Sequence, residues 1–332
     1  MGVMCVKIEK KLAEKARRIL KSHNLINKNY SIYREGDYVF IPISDEEETV
    51  SILSRNGVEA SVVECNPPQK EYLQFSRIPS YDLVDDIIII REKAVNEYGD
   101  INELVKLLTS LHPKVKAIYV KEYTESVFRV SRLKLLWGTD VEEVFAKEYG
   151  LKFFVKIKDV YYNPRLSTEH RRLAESVSDG EVVFDLFAGI GGFSIHIASL
   201  HKVKIYANDI NPVAVYCMLK NIMLNRKMLK GEIIVSLADA RKLINYIKPG
   251  SADRIIANLP HESLKFIDVY NYLSREGTVL HIYVLGKEED MEGVMTLLES
   301  RGWSVESITP VIDYAPHKFI YRIDAVKRND KK

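Results

Sequence analysis

Cysteine, glutamine and net charge are all scarce in this chain. Three cysteines stand among 332 residues, at positions 5, 65 and 217. An odd, scattered set without a C-x-x-C pair offers neither a zinc-ligand spacing nor a disulfide framework, and makes a reducing cytosol, hence a cytoplasmic location, the expectation. Glutamine occurs only at Gln69 and Gln74, while lysine, glutamate and isoleucine are plentiful, a composition that leans toward a high-temperature source. No apolar run approaches the length of a membrane span, and Ile87 to Ile90 reads as a buried strand. The N-terminus carries no signal-peptide pattern. Formal net charge is only +2, so an RNA-binding surface would have to be a local patch. The remainder, 46% apolar and 28% charged, is ordinary for a soluble protein long enough for two or three domains.

One stretch organises what is there. Val182-Val183-Phe184-Asp185 is a short apolar run, too brief and too β-branched for a helix. Gly189, Gly191 and Gly192 interrupt the sequence, and the apolar-periodic Phe193, Ile195, Ile197, Ala198 and Leu200 follow. Strand, tight turn and helix are predicted, with backbone N–H groups exposed to a ligand and a helix N-terminus behind them. A dinucleotide fingerprint would need a third glycine where Ser194 stands, although Asp209 lies at the right distance for the acid. Later strands each end in an acid or amide: Asp209 after Ile205, Asp239 after Ile233 to Leu237, and Asn258-Leu259-Pro260 after Asp253 to Ala257. An acid at the second tip can accept from ribose hydroxyls, and one at the third from an adenine amino group. In a doubly wound sheet the ligand crevice lies at these carboxyl ends. Asn211-Pro212 predicts a capped helix start.

Upstream, residues 1–66 form a small α/β unit whose helix, from Leu12 to Leu25, is rich in lysine and arginine. Asn66-Pro67-Pro68 marks a linker. Residues 67–178 form a mixed α+β domain, with a strand at Ile87 to Ile90 and a helix from Ile101 to Leu111. Residues 179–332 form the Rossmann-like domain, closed by strands near Trp303 and Phe319. Ser167 or Thr168 is placed to cap a helix that carries Glu169 and His170 in its first turn.

The set Asp185-Leu186-Phe187-Ala188-Gly189, Asp209, Asp239 and Asn258-Leu259-Pro260 resembles the Rossmann-like class I AdoMet-dependent methyltransferases. The Asn-Leu-Pro variant, the block from Val160 to Arg172 and Tyr314-Ala315-Pro316 resemble the archaeal and eukaryotic tRNA guanosine-37 N1-methyltransferases, the archaeal members in particular. The resemblance implies AdoMet as cofactor, no metal, and tRNA as partner. The tRNA would be gripped at the anticodon loop, and at its outer corner by residues 1–66. A monomer without membrane association is expected. The resemblance also assigns catalytic roles: Glu169 as base for the N1 proton, Arg129 as donor to O6, Asn258 and Pro260 on the guanine edge and loop, and Tyr161 against the flipped base. His170, Asp185, Phe187 and Gly189 would line the AdoMet site. Asp209 with Ile210 would take the ribose, Asp239 with Ala240 the adenine, and Asn258 the methionine part. Members resembling this chain also methylate a wyosine intermediate at position 37, and a related enzyme transfers the aminocarboxypropyl arm of AdoMet instead. An NAD-dependent oxidoreductase is opposed by Ser194 and the Asn-Leu-Pro motif. A non-catalytic RNA-binding module is opposed by the joint presence of Glu169, Arg129 and Asn258.

Overall fold

The computed structural model describes residues 3–68, 78–125 and 130–328, the side chains of 123–125 excepted. The chain divides into two compact units, Met1–Ile78 and Pro79–Lys332.

The first unit is a four-stranded antiparallel sheet in the order β2-β3-β1-β4. Its elements are β1 (Val3–Glu9), α1 (Lys10–Ser22), β2 (Tyr33–Glu35), β3 (Tyr38–Pro42), α2 (Glu46–Arg55) and β4 (Ser61–Cys65). Ala16 and Leu20 of α1 and Leu53 of α2 close over Val6, Ile8 and Ile41 of the sheet. Asp45 caps α2 by accepting from the Glu48 N–H at 2.8 Å, and three glutamates in the first turn suit the positive end of the helix dipole. On α1, Glu14 accepts from both Arg17 and Arg18, so part of the basic face is neutralised locally.

Cys5 and Cys65 are joined as a disulfide, which overturns the expectation of free thiols; Cys217 is the free, buried one. The antiparallel pairing of β1 with β4 sets Val3 opposite Cys65 and Cys5 opposite Val63, so the two cysteines are diagonal neighbours on one face. Sixty residues of separation hid this pairing from a reading by local spacing. Such cross-links persist in oxidising compartments and in intracellular proteins of hyperthermophiles.

The second unit begins with a four-stranded sheet, β5 (Tyr81–Val84), β6 (Ile87–Arg91), β7 (Ala117–Glu125) and β8 (Val130–Gly138), with α3 (Glu92–Tyr98) and α4 (Ile101–Leu111) between β6 and β7. The hairpin β9 (Glu143–Glu148) and β10 (Leu151–Lys156) follows, then α5 (Ser167–Glu175). The remainder is a seven-stranded sheet in the order β13-β12-β11-β14-β15-β17-β16. Its elements are β11 (Val182–Asp185), α6 (Gly192–Leu200), β12 (Lys204–Asp209), α7 (Pro212–Asn225), β13 (Glu232–Leu237), β14 (Ala252–Ala257), α8 (Ile267–Leu273), β15 (Ser274–Gly286), α9 (Met291–Ser300), β16 (Trp303–Ala315) and β17 (Lys318–Lys327). β13 to β15 run parallel, while β17 is antiparallel to both β15 and β16. This is the expected Rossmann-like architecture, with the chain reversing its winding direction beside β11. Ile190, Ile195, Ala214 and Cys217, around α6 and α7, share one apolar core with Ile87, Tyr119 and Phe153. Among the described residues no helix is long and apolar enough to cross a membrane.

Candidate active site

Parallel strands that end together put their first loop residues along one edge, and four of the predicted residues stand there. Asp185 ends β11, Asp209 ends β12, Asp239 follows β13 and Asn258 follows β14. The tips are tied to one another. Asp209 accepts from the Gly189 N–H and the Asn211 N–H, each at 2.8 Å. Asn208 donates to the carbonyls of Leu186 and Ala238, bridging the loops after β11 and β13. Asn211 caps α7 by accepting from the Val213 N–H at 2.9 Å, with Pro212 in the first turn, as the sequence predicts. Asp239 caps a short 3-10 turn that starts at Ala240 and pairs with Arg241, which holds its carboxyl below the usual range.

The glycine turn has the conformation a cradle needs. Gly189 and Gly191 have φ of 57° and 91°, and a Cβ on Gly189 would meet nothing within 4 Å. Asp185 beneath it is fully buried. Its Oδ2 accepts from Ser194 at 2.7 Å, so the residue in place of a third glycine buttresses the acid. Its Oδ1 finds no partner among the described residues, and burial pushes its carboxyl up to about 7. Asp209 is also raised, by burial against its backbone donors. Open space over the turn, an orphaned carboxylate oxygen and a row of acids fit a cationic nucleoside such as AdoMet. Phe187 stacks edge-on against Phe266, and Ile210 is 40% exposed beside Asp209.

Glu169 and His170 are neighbours on α5 that reach in different directions. Asn163, not Ser167 or Thr168, makes the cap here. It accepts from the Arg165 N–H and starts a 3-10 turn, Pro164–Leu166, that runs straight into α5, so Ser167 and Thr168 are already helical. Glu169 is buried against the sheet, where its Oε1 accepts from Tyr283 of β15 at 2.8 Å and from Arg322 of β17 at 2.7 Å. His170 packs on the start of α6. Its ring occupies the space a Cβ on Gly192 would need, with Cε1 only 2.5 Å from that position. Phe193 bridges the two sides, edge-on to His170 and tilted against Tyr283.

His170 is held from behind by Glu148 at the end of β9. Glu148 Oε2 accepts from His170 Nδ1 at 2.8 Å and His196 Nε2 at 3.0 Å, and Oε1 from Tyr162 at 2.9 Å. Burial works to raise the Glu148 pKa, but these donors outweigh it and bring it down to about 2. Burial pushes the pKa of His196 down, and its Nδ1 has no partner among the described residues. Glu148, His170 and His196 offer ligand atoms within 4.8 Å of one another and are the metal-capable group among the described residues. Both ring nitrogens face one carboxylate oxygen as hydrogen-bond donors, so the cluster serves as a hydrogen-bonded support for His170.

Of the remaining predicted residues, Tyr161 is 39% exposed, and Pro260 anchors its loop by accepting from the Leu285 N–H at 2.8 Å. Arg129 lies outside the described residues. Sequence reasoning missed Glu148, Tyr283 and Arg322. The available signal was polar residues alternating within apolar strands, His281-x-Tyr283 and Arg322-x-Asp324.

The TRM5/TYW2 methyltransferase domain matches residues 144–304, and the tRNA methyltransferase 5 N-terminal domain matches residues 5–51. The chain is 35% identical to the tRNA (guanine(37)-N(1))-methyltransferase Trm5b of Methanocaldococcus jannaschii, over 97% of this chain and 98% of that one. It is 31% identical to the tRNA 4-demethylwyosine(37)-methyltransferase Taw21 of Saccharolobus solfataricus, over 75% of this chain and 93% of that one. A solved complex of aTrm5 with tRNALeu superposes with a TM-score of 0.74 at 33% identity, covering 98% of this chain and all of that one. The chain therefore belongs to the TRM5/TYW2 family of methyltransferases.

Proposed function

We propose that the chain transfers the methyl group of AdoMet to N1 of guanosine at position 37 of tRNA. The observation that carries this is the likeness to the M. jannaschii enzyme across nearly the full length of both chains. Guanine N1 holds a proton at neutral pH and is a poor nucleophile, so the site must supply a base, a donor for charge gathering on O6, and a fixed line of attack. Glu169 takes the N1 proton. Arg129 donates to O6 with a charge-assisted bond that tightens as negative charge develops there. Asn258 holds the guanine edge, and Pro260, lacking an N–H and fixed in φ, sets the loop so that the Leu259 backbone takes part. Tyr161 receives the base once it leaves the anticodon-loop stack. AdoMet, when bound, supplies the electrophilic methyl group. Phe187, Gly189 and His170 line its place, Asp209 with Ile210 takes the ribose, and Asp239 with Ala240 the adenine. Residues 1–66 grip the outer corner of the tRNA, and residues 67–178 contribute to the active site.

A second reading, methylation of a wyosine intermediate at the same position, is favoured by the likeness to the S. solfataricus enzyme, which covers less of the chain. The test is incubation with labelled AdoMet and tRNA transcripts bearing G or A at position 37, followed by nucleoside identification. N1-methylguanosine from the G37 transcript alone is expected. A bulkier adduct on tRNA would replace methyl transfer with aminocarboxypropyl transfer. No transfer to a G37 transcript, with transfer to already modified tRNA, would favour the second reading.

A further inference from the structure

A carboxylate locked to a guanidinium is a poor proton acceptor, because taking the proton strands a buried positive charge. Glu169 is in that position with Arg322 at 2.7 Å, both side chains less than a tenth exposed. The register of β15 against β17 shows how the chain answers this. Tyr283 lies opposite Arg322, and His281 opposite Asp324. Arg322 and Asp324, two residues apart, share a strand face, and Arg322 Nε donates to Asp324 Oδ2 at 3.1 Å. Asp324 is itself held by Ser307 at 2.8 Å and His281 Nδ1 at 2.6 Å. Arg254 donates to His281 Nε2 at 2.6 Å, so that nitrogen must accept. Nδ1 then carries the hydrogen, and His281 is a neutral donor to Asp324. Burial lowers the pKa of His281 in the same direction. Arg254 is neutralised in turn by Glu181.

The local charge is then simple to count. Glu169 and Asp324 are negative and Arg322 is positive, a net charge of −1. Protonation of Glu169 brings the group to zero and leaves Arg322 still paired. Without Asp324 the same step would run from zero to an unpaired +1. Both donors to Glu169, Tyr283 and Arg322, land on Oε1, and among the described residues Oε2 has no hydrogen-bond partner. On the reading that Glu169 is the base, we infer that Asp324 is a positioning residue. Acting through Arg322, it keeps the clamped carboxylate able to accept the N1 proton at Oε2. The titratable groups facing this centre are Tyr283 and His281 from β15 and Arg322 and Asp324 from β17.

The test is single-turnover methyl transfer by the full chain to a G37 tRNA transcript from pH 5 to 9, with AdoMet and tRNA affinities measured alongside. Asp324→Asn keeps the shape and the His281 contact but removes the charge. Its rate should fall about tenfold, part of the roughly 10²–10⁴ a general base supplies, with both affinities changed less than about twofold. Its acid limb should move to lower pH, since Arg322 then serves Glu169 alone. Tyr283→Phe removes one donor to the carboxylate and should move the acid limb the opposite way. Opposed shifts are a signature that general loosening of the site does not produce. A wild-type rate and limb in Asp324→Asn, or shifts of the same sign in both variants, would overturn the inference. If Asp324→Asn fails to fold, Asp324→Ser, which also removes the charge, is read in its place, and an unmoved limb overturns the inference. Glu169→Gln separates the two levels. If that variant keeps the wild-type rate, the base assignment itself falls. If it loses activity while Asp324→Asn does not, only the role of Asp324 falls.

Discussion

Replacing Asn221 by leucine should cost this protein more stability than the same change at Asn225, one turn further along α7. Asn221 and Asn225 stand one helical turn apart, a rise of about 6 Å, and two residues of a strand advance about 6.7 Å. Their side-chain amides therefore meet alternate residues of β10 and stand in for a missing neighbouring strand. Asn221 Oδ1 accepts from the Phe154 N–H at 2.6 Å, and its Nδ2 donates to the carbonyls of Phe154 and Ile190 at 3.2 and 3.1 Å. Asn225 repeats the pattern on Lys152, with bonds of 2.9 and 2.7 Å. Asn221 is fully buried, so Asn221→Leu strands one N–H and two carbonyls where water does not reach. At about 1–3 kcal/mol for each stranded group, less whatever the added apolar side chain recovers, the loss is roughly 4 kcal/mol. For a unit of this size, that lowers the melting midpoint by roughly 8–16 °C. The bonds to Lys152 lie at a partly buried place, so Asn225→Leu, which strands one N–H and one carbonyl there, should cost less, about 2 kcal/mol. Thermal unfolding followed by circular dichroism measures both. Equal shifts, or a larger one at Asn225, would refute the strand-substitute account. AdoMet binding should weaken with Asn221→Leu as well, because Ile190 lies in the glycine turn.

Further outcomes follow from the same contacts. Gly192→Ala places a methyl against a His170 ring that Glu148 prevents from moving. AdoMet affinity measured by calorimetry should fall about tenfold, near 1.4 kcal/mol, and an unchanged affinity would remove His170 from the cofactor site. Thiol titration of the denatured, unreduced chain should find Cys217 alone, and reductant should destabilise the first unit by about 4 kcal/mol, the chain-entropy value for a loop of this length. Three titratable thiols would contradict the cross-link. Asp185 holds its proton up to about pH 7 in the folded state and releases it near 4 when unfolded. The stability it contributes is present below about pH 4 and is lost as pH rises toward 7. Asp185→Asn should therefore flatten that part of the curve of melting midpoint against pH, and an unaltered slope would show that the acid is ionised in its pocket.

Much of the fold was legible because its signals are local. The glycine turn, the Asn211-Pro212 start of α7 and the helix Ile101–Leu111 rest on residues a few positions apart, and the structure has them where the sequence puts them. The row of Asp185, Asp209, Asp239 and Asn258 was legible for a related reason, since parallel strands of equal phase end together. What stayed hidden depends on pairing across the chain. Glu169 could be picked out as a helix-start acid, but its Tyr283 and Arg322 partners come from strands more than a hundred residues away. The Cys5–Cys65 bridge needed the register of β1 on β4. The cap of α5 moved upstream because Asn163 is followed by Pro164, which starts a helical turn before Ser167 is reached.

The most direct measurement of the central claim is single-turnover methyl transfer by Glu169→Gln, with AdoMet and G37 tRNA both prebound. Glutamine keeps the shape and accepts from Tyr283 and Arg322, but it cannot take a proton. The chemical step should slow by about 10²–10⁴, with the affinities for AdoMet and tRNA near those of the unaltered chain. A Glu169→Gln enzyme that forms N1-methylguanosine at the unaltered rate would contradict the assignment of Glu169 as the base.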